Sequence, residues 1–254
     1  MLGSELKYDK TLSCFERVYI SIFGVPINGL RIRARRILPE IKGNYRNILD
    51  IGSGQGIITY EIARRFPQSE VVGIDILKNL VERDNRVAEE IGLENCRFEV
   101  MDIMDIDYEN YFDLVVTVDI LEHIKDDDRA LKQFNKVLKP GGLLLLHVPA
   151  YERRWLFFGW KVNFDVEGHF RPGYSIEDIS QKITDAGFEL IEAYHSYGWI
   201  ETITNNISYL ITEARMKRKI LYALVFPFLN FFSWFGKNSR PEKGAGVMVK
   251  AKKA

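Results

Sequence analysis

An acid and three glycines at alternate positions, Asp50, Gly52, Gly54 and Gly56, lie in the stretch ILDIGSGQGIITYEIA at 48–63. Glycines at that spacing, between an apolar run and a helical pattern, make a tight turn and let backbone approach a ligand closely. Free amides at the start of the following helix can meet polar or anionic groups. Asp75 closes the next apolar run, VVGIDI, 25 residues beyond Asp50. An acid there can accept both hydroxyls of a ribose. Asp102, in VMDI, follows the third such run, where an adenine amino group would lie. These acids and glycines describe a nucleoside-containing cofactor, a class that holds both nicotinamide dinucleotides and S-adenosylmethionine. The spacing differs from the Gly-x-Gly-x-x-Gly that seats a pyrophosphate, because position 57 is Ile.

The elements that must carry these residues alternate. NILDI at 47–51 reads as a buried strand, and 57–66 as a helix stopped by Pro67. EVVGIDI is a second strand, 78–91 a helix with Gly92 at its C-terminal cap, and CRFEVMDI a third strand. FDLVVTVDIL is the fourth, 126–138 a helix ended by Lys139-Pro140-Gly141-Gly142, and LLLLHVPA a fifth, apolar enough to be covered on both faces. After an aromatic interruption at 151–175 come a helix at 176–186, a strand at 188–196, a long insertion to 243 and a last strand in GAGVMVKAKK. Strands separated by helices of this length imply a parallel sheet with right-handed crossovers.

LDIGSGQG and LKPGG, set in this alternation, are specific to a class. The sequence resembles the class I S-adenosylmethionine-dependent methyltransferases, and is similar to the small-molecule group that includes the quinone-biosynthesis enzymes. The resemblance covers about 45–150 most fully, then 175–198 and 244–253. It implies an α/β, Rossmann-like three-layer sandwich whose seven-stranded sheet has the order 3-2-1-4-5-7-6, the last strand antiparallel. It also implies S-adenosylmethionine as cofactor. Asp50, Gly52, Ser53, Gly54 and Gly56 would line its methionine and ribose part. Asp75 would hold the ribose hydroxyls, Ile76 would lie beside the adenine, and Asp102 and Ile103 would flank that base. Asp119 would face the reactive end. Two alternatives stay open: a nicotinamide-dependent oxidoreductase, which lacks the dinucleotide spacing and a Tyr-x-x-x-Lys pair, and a non-catalytic membrane-associated scaffold that keeps the cofactor fold.

Methyl transfer asks a protein chiefly to align a nucleophile and exclude water, with a base only where the nucleophile arrives protonated. DILEHI offers Asp119, Glu122 and His123. In the quinone-pathway O-methyltransferases a similar Glu-x-x-Glu-His segment is associated with a divalent metal that would orient a catechol, and two carboxylates with an imidazole can hold one. Here Asp119 stands in place of the first glutamate. The expectation is no metal, with Glu122 and His123 opening a helix through local hydrogen bonds. His169, in EGHFRPGYS, falls in a loop that in this fold reaches over the substrate pocket. It is a candidate base, with Arg171 and Tyr174 as substrate contacts or, equally, as residues that order the loop together with a Ser175 cap. His147, inside an apolar strand, is expected to be a satisfied core histidine.

The whole chain has 254 residues, 46% hydrophobic, with Lys plus Arg equal to Asp plus Glu at 35 each. That balance does not suggest a nucleic-acid binder. Cys14 and Cys96 read as reduced thiols of a cytoplasmic protein, and the N-terminus carries no signal-peptide pattern. Residues 1–45 are expected to form an N-terminal helical lid, broken near Gly24-Val25-Pro26, with Arg31, Arg33, Arg35 and Arg36 on a solvated face or against anionic head groups or an anionic substrate. The core is expected over 46–198 and 244–254, and 199–243 is a hydrophobic helical insertion. Within that insertion, 220–236, ILYALVFPFLNFFSWFG, holds no charge. A single crossing there would put the two strands it connects on opposite sides of a bilayer, so the segment must turn back as an interfacial helix pair, a re-entrant hairpin or a lid. Its aromatics, with WLFFGW at 155–160, beside Lys and Arg suit a membrane interface, here the inner face of the cell membrane, and a hydrophobic small-molecule substrate.

Overall fold

The computed structural model describes residues 1–151, 168–212 and 218–254. Among them one sheet comprises β1 (Asn47–Ile51), β2 (Glu70–Asp75), β3 (Cys96–Val100), β4 (Phe112–Val118), β5 (Leu138–Pro149), β6 (Phe188–Ser196) and β7 (Gly246–Lys253). Its order is β3-β2-β1-β4-β5-β7-β6, with β7 antiparallel to both neighbours. The helices are α1 (Cys14–Phe23), α2 (Asn28–Ile37), α3 (Ile57–Arg65), α4 (Lys78–Glu90), α5 (Asp127–Val137), α6 (Ile176–Asp185), α7 (Trp199–Thr212) and α8 (Lys219–Trp234).

The central strands are apolar in both parities because both faces are covered. Ile48 packs in one cluster with Ile62, Val71 and Leu114, while Leu49 packs in the other with Val72, Val115 and Phe134. All five residues of β1 are buried. That double covering leaves the carboxyl ends of the strands as the edge where polar side chains can gather.

Several boundaries differ from the reading of the sequence, β4 among them, which ends at Val118 rather than Leu121. β3 ends at Val100, which puts Asp102 and Ile103 in the loop beyond it. β5 begins at Leu138 rather than Leu143: Leu138 pairs with Phe112, and the register shifts before Leu114 meets Leu143. The Pro140-Gly141-Gly142 stretch absorbs that shift, with Gly141 at φ +77°. Glu122 and His123 do not open α5; they belong to a separate 3₁₀ turn, Leu121–His123, and Asp126 caps α5 through its side chain.

The arginines of α2 are not a solvated face, because α7 and α8 cover it. Arg31 donates to the carbonyls of Val25 (3.2 Å) and Leu2 (3.3 Å), and Arg35 to Ser233 Oγ (2.6 Å). Arg36 pairs with buried Glu201 and donates to Gly236 O (2.9 Å) and Ser239 O (2.7 Å). The segment between β6 and β7 returns as the helix pair α7 and α8, and among the described residues no helix is long and apolar enough to cross a membrane. The aromatic run at 155–160 lies outside the described residues.

Candidate active site

Gly52, Gly54 and Gly56 all adopt left-handed φ, +73°, +56° and +70°. Their reasons differ. A Cβ on Gly52 would lie 2.3 Å from Ile120, and one on Gly56 would lie 2.9 Å from the rings of Phe98 and Tyr60. Around Gly54 the nearest atom to a Cβ is the Gly52 oxygen, 4.0 Å away. Two glycines therefore serve packing, and the middle one presents bare backbone to open space. The turn is tied from within. Gly52 N and Ser53 N donate to Ile74 O, and Gly54 N donates to Asp75 Oδ2 at 2.9 Å. These amides face protein acceptors, unlike the outward amides that hold a phosphate. Ser53 Oγ is buried and has no hydrogen-bond partner among the described residues.

The acids around this turn sit in different surroundings. Asp50 is buried and accepts from Thr59 Oγ1 at 2.6 Å. Burial pushes its carboxyl up to about 6, against the Thr59 hydroxyl, which favours the charged form. Asp75, at the end of β2, accepts from Gly54 N through one oxygen and from Leu77 N (2.9 Å) through the other. Ile76 beside it is 64% exposed. Asp102 is exposed and accepts from Met104 N, closing an Asx turn (2.8 Å), while Ile103 packs half-buried on the core.

Asp119 follows β4 at φ +52°, a conformation a non-glycine residue seldom takes. Its carboxylate is shared: Oδ2 lies 2.9 Å from Arg33 Nη1, and Oδ1 lies 2.6 Å from His147 Nδ1. His147 is buried, as its apolar strand suggested, and its Nε2 meets Ser196 Oγ at 2.8 Å. Burial disfavours charge on Arg33, but Asp119, Tyr197 and Tyr209 together outweigh it and hold the guanidinium firmly protonated.

Glu122, His123 and His169 converge, with one ligand atom from each lying within 4.8 Å of the others. The imidazoles of His123 and His169 meet edge to face, 4.4 Å between centroids, and His123 Nδ1 lies 3.1 Å from Gly168 O. A carboxylate and two imidazoles can hold a divalent cation or serve as base and support. Arg171 and Tyr174 do not join them. Arg171 Nη2 pairs with Asp127 Oδ2 at 3.0 Å, and the buried Tyr174 hydroxyl donates to the same oxygen at 2.9 Å. Both order the loop, alongside the Ser175 cap on α6.

A family model described as a methyltransferase domain matches residues 43–172, from just before β1 to beyond His169. The chain belongs to that family. Trans-aconitate 2-methyltransferase of Deinococcus radiodurans is 35% identical over 106 residues, 42% of this chain and 39% of that protein. A ubiquinone biosynthesis O-methyltransferase of Coxiella burnetii is 28% identical over 114 residues, 44% of this chain and 47% of that protein. In both alignments the chain spans less than half of the curated relative's length. Haemonchus contortus phosphoethanolamine N-methyltransferase 2, solved with S-adenosyl-L-methionine, shares the fold: TM-score 0.64 at 20% identity, over 100% of this chain and 60% of that one.

Gly73 and the pairing of Arg33 escaped the sequence reading. Gly73, inside β2, supports the glycine turn, since a Cβ there would lie 2.6 Å from the Phe98 ring and 3.0 Å from Ser53 Cβ. A glycine within an otherwise branched strand was the available signal. Arg33 had no local signal, because its partner Asp119 is remote in sequence.

Proposed function

We propose that this chain transfers the methyl group of S-adenosylmethionine to an apolar, lipid-like small molecule at a membrane surface. The observation that carries the cofactor half is the turn at Gly52–Gly56, where Gly54 alone faces open space beside Asp75 and exposed Ile76. Its inward amides suit a cofactor that brings a sulfonium and no pyrophosphate. Ser53 Oγ, buried without a partner, gives that cofactor a polar contact. Asp50, Gly52 and Gly56 shape the methionine and ribose side, Asp75 takes the ribose hydroxyls, and Ile76, Asp102 and Ile103 border the adenine.

When bound, S-adenosylmethionine supplies an activated methyl on a charged sulfur. What the chain adds is position and a dry site, worth several kcal/mol in aligned displacements. Asp119, fixed by Arg33 and His147, faces the acceptor end and keeps its orientation without side-chain rearrangement. His169, steadied by His123, takes the acceptor's proton where the nucleophile arrives protonated. An apolar acceptor accords with the exposed aromatic face of α8, and with it a peripheral position on the inner face of the cell membrane.

Calorimetry with S-adenosylmethionine tests the cofactor site. Micromolar binding is expected, weakened at least about tenfold by Asp75→Ala through lost hydroxyl contacts; no binding by the parent protein removes the proposal. Incubating the protein with methyl-labelled cofactor and a lipid and metabolite extract tests the acceptor, and label appearing only in water-soluble polar products removes the lipid-like class. A second reading, a metal-assisted O-methyltransferase of a catechol-type quinone precursor, is favoured by the convergence of Glu122, His123 and His169. Under it, turnover falls on chelation, returns with a divalent cation, and no longer responds to either in His169→Ala.

A further inference from the structure

We infer that α1 and α8 together form a surface that lies on the anionic face of a lipid bilayer, with the N-terminal helix as much a part of the contact as α8. The inference rests on the membrane position proposed above and specifies its surface and its lipid.

The two helices meet through the side chains of Tyr19 and Phe23. Tyr19 Oη on α1 donates to Ala223 O on α8 at 2.6 Å, and its ring packs with Tyr222, Phe226 and Leu229. Further along, Phe23 shares a shallow groove of about 350 Å³ with Phe226, Phe231 and Trp234. Each helix turns one apolar stripe outward. On α1 it is Phe15 (90% exposed), Val18 and Ile22; on α8 it is Ile220 (81% exposed), Leu224, Phe228 and Phe231. Spacings of three and four residues place each set on a single helix face.

Beneath this surface polar groups share the interior with the apolar Tyr222, Phe226 and Leu229. Asn28, Thr204, Ser208 and Ser233 are buried and hydrogen-bonded among α2, α7 and α8, as in Ser208 Oγ to Tyr222 Oη at 2.8 Å. Arg35 and Arg36 reach into the same interior. Large apolar side chains left outside while polar groups are buried depart from the arrangement that water selects. At 16 residues α8 is too short to span a bilayer, so the stripe suits a helix lying in the interface plane.

Charge chooses the occupant. α8 contains no acid, and the single acid of α1, Glu16, is held in a capping box with Ser13. Arg17, Arg218 and Lys219 are exposed at the border, and Lys237 lies 3.7 Å from the Trp234 ring centroid. A second copy docked two-fold on the same surface would set this basic border against itself. Anionic headgroups complement it, with the Trp–Lys pair at headgroup depth.

Flotation of the full chain with vesicles tests this, using phosphatidylcholine alone or mixed with phosphatidylglycerol. The parent is expected to float with the mixed vesicles and at least about fivefold less with the neutral ones. Phe15→Asp with Val18→Asp on α1, and separately Phe228→Asp on α8, are each expected to cut recovery by a similar factor. All three positions are exposed, and unchanged melting and S-adenosylmethionine calorimetry verify the fold and leave the cofactor proposal standing whatever the vesicles show. Equal flotation on neutral vesicles overturns the anionic preference alone. If the α1 variant floats like the parent, the two-helix surface is overturned while the membrane position survives. No flotation, with a dimer in sedimentation velocity that Phe228→Asp dissolves, overturns both and makes a second copy the occupant.

Discussion

Gly52 and Gly54 share a type, a left-handed φ and a motif, yet they should fail differently. A methyl on Gly52 meets Ile120 at 2.3 Å, whereas one on Gly54 meets open space. Both substitutions strain the backbone by about 1–2 kcal/mol. Gly52→Ala should therefore lower the melting temperature several degrees more than Gly54→Ala, and only Gly54→Ala should lose cofactor affinity out of proportion to its stability. Equal melting losses with unchanged cofactor affinity in Gly54→Ala would assign all three glycines to packing. Asp50 makes a second prediction at this scale. Its folded carboxyl titrates near 6 against an ordinary value of 3.8, so the native state holds a proton that the unfolded chain releases. The sign follows: its contribution is full below about pH 4 and is lost as pH rises through 6, on the order of 2–3 kcal/mol in all. Asp50→Asn keeps an acceptor for Thr59 and should flatten that part of the pH–stability curve between pH 4 and 7. Asp84, also raised by burial to about 6, should retain its own slope.

At the scale of elements, legibility followed the range of the interactions that decide each one. β1 and α3 were readable because their apolar spacing and Pro67 are local. The antiparallel last strand was readable through a family resemblance, since periodicity alone gives no strand direction. The start of β5 was hidden because Leu138 joins the sheet through Phe112, a partner outside any local window. The four arginines of α2 were misread for the same reason: a polar helix face looks solvated until another polar face covers it. Arg36 and Glu201 make the consequence measurable, since both side chains are almost fully buried. Removing one partner leaves an uncompensated buried charge, so Arg36→Met should cost about 3 kcal/mol or more. Arg36→Met combined with Glu201→Leu should recover part of that loss. A melting series over the two single variants and the double variant measures the coupling, and simple additivity would show that the pair does not act as a unit.

At the scale of the whole molecule, the helical module packs on the sheet through Ala34 and Ile37 and also reaches one carboxylate at the strand ends. Arg33 comes from α2, Asp119 from the end of β4, His147 from β5 and Ser196 from the end of β6, and they form one hydrogen-bonded line. Asp119 sits at φ +52°, a conformation costing about 1–3 kcal/mol that its partners must maintain. The glycine turn was legible because its residues lie beside one another in the chain, whereas this line is assembled from four distant segments and leaves no sequence pattern. The two parts of the site should therefore separate under mutation. In Arg33→Met the module loses its hold on Asp119 while the glycine turn is untouched. Cofactor affinity should change by less than about threefold, and methyl transfer should fall at least about tenfold, the loss of one charge-assisted contact at the reacting end. Hydrogen exchange should quicken in α2 and α7 and stay slow in β1, β2 and β4. If turnover fell without any change in exchange, Arg33 would act on the acceptor directly; if exchange quickened without loss of turnover, Asp119 would be a structural joint and the acceptor end of the site would lie with Glu122, His123 and His169.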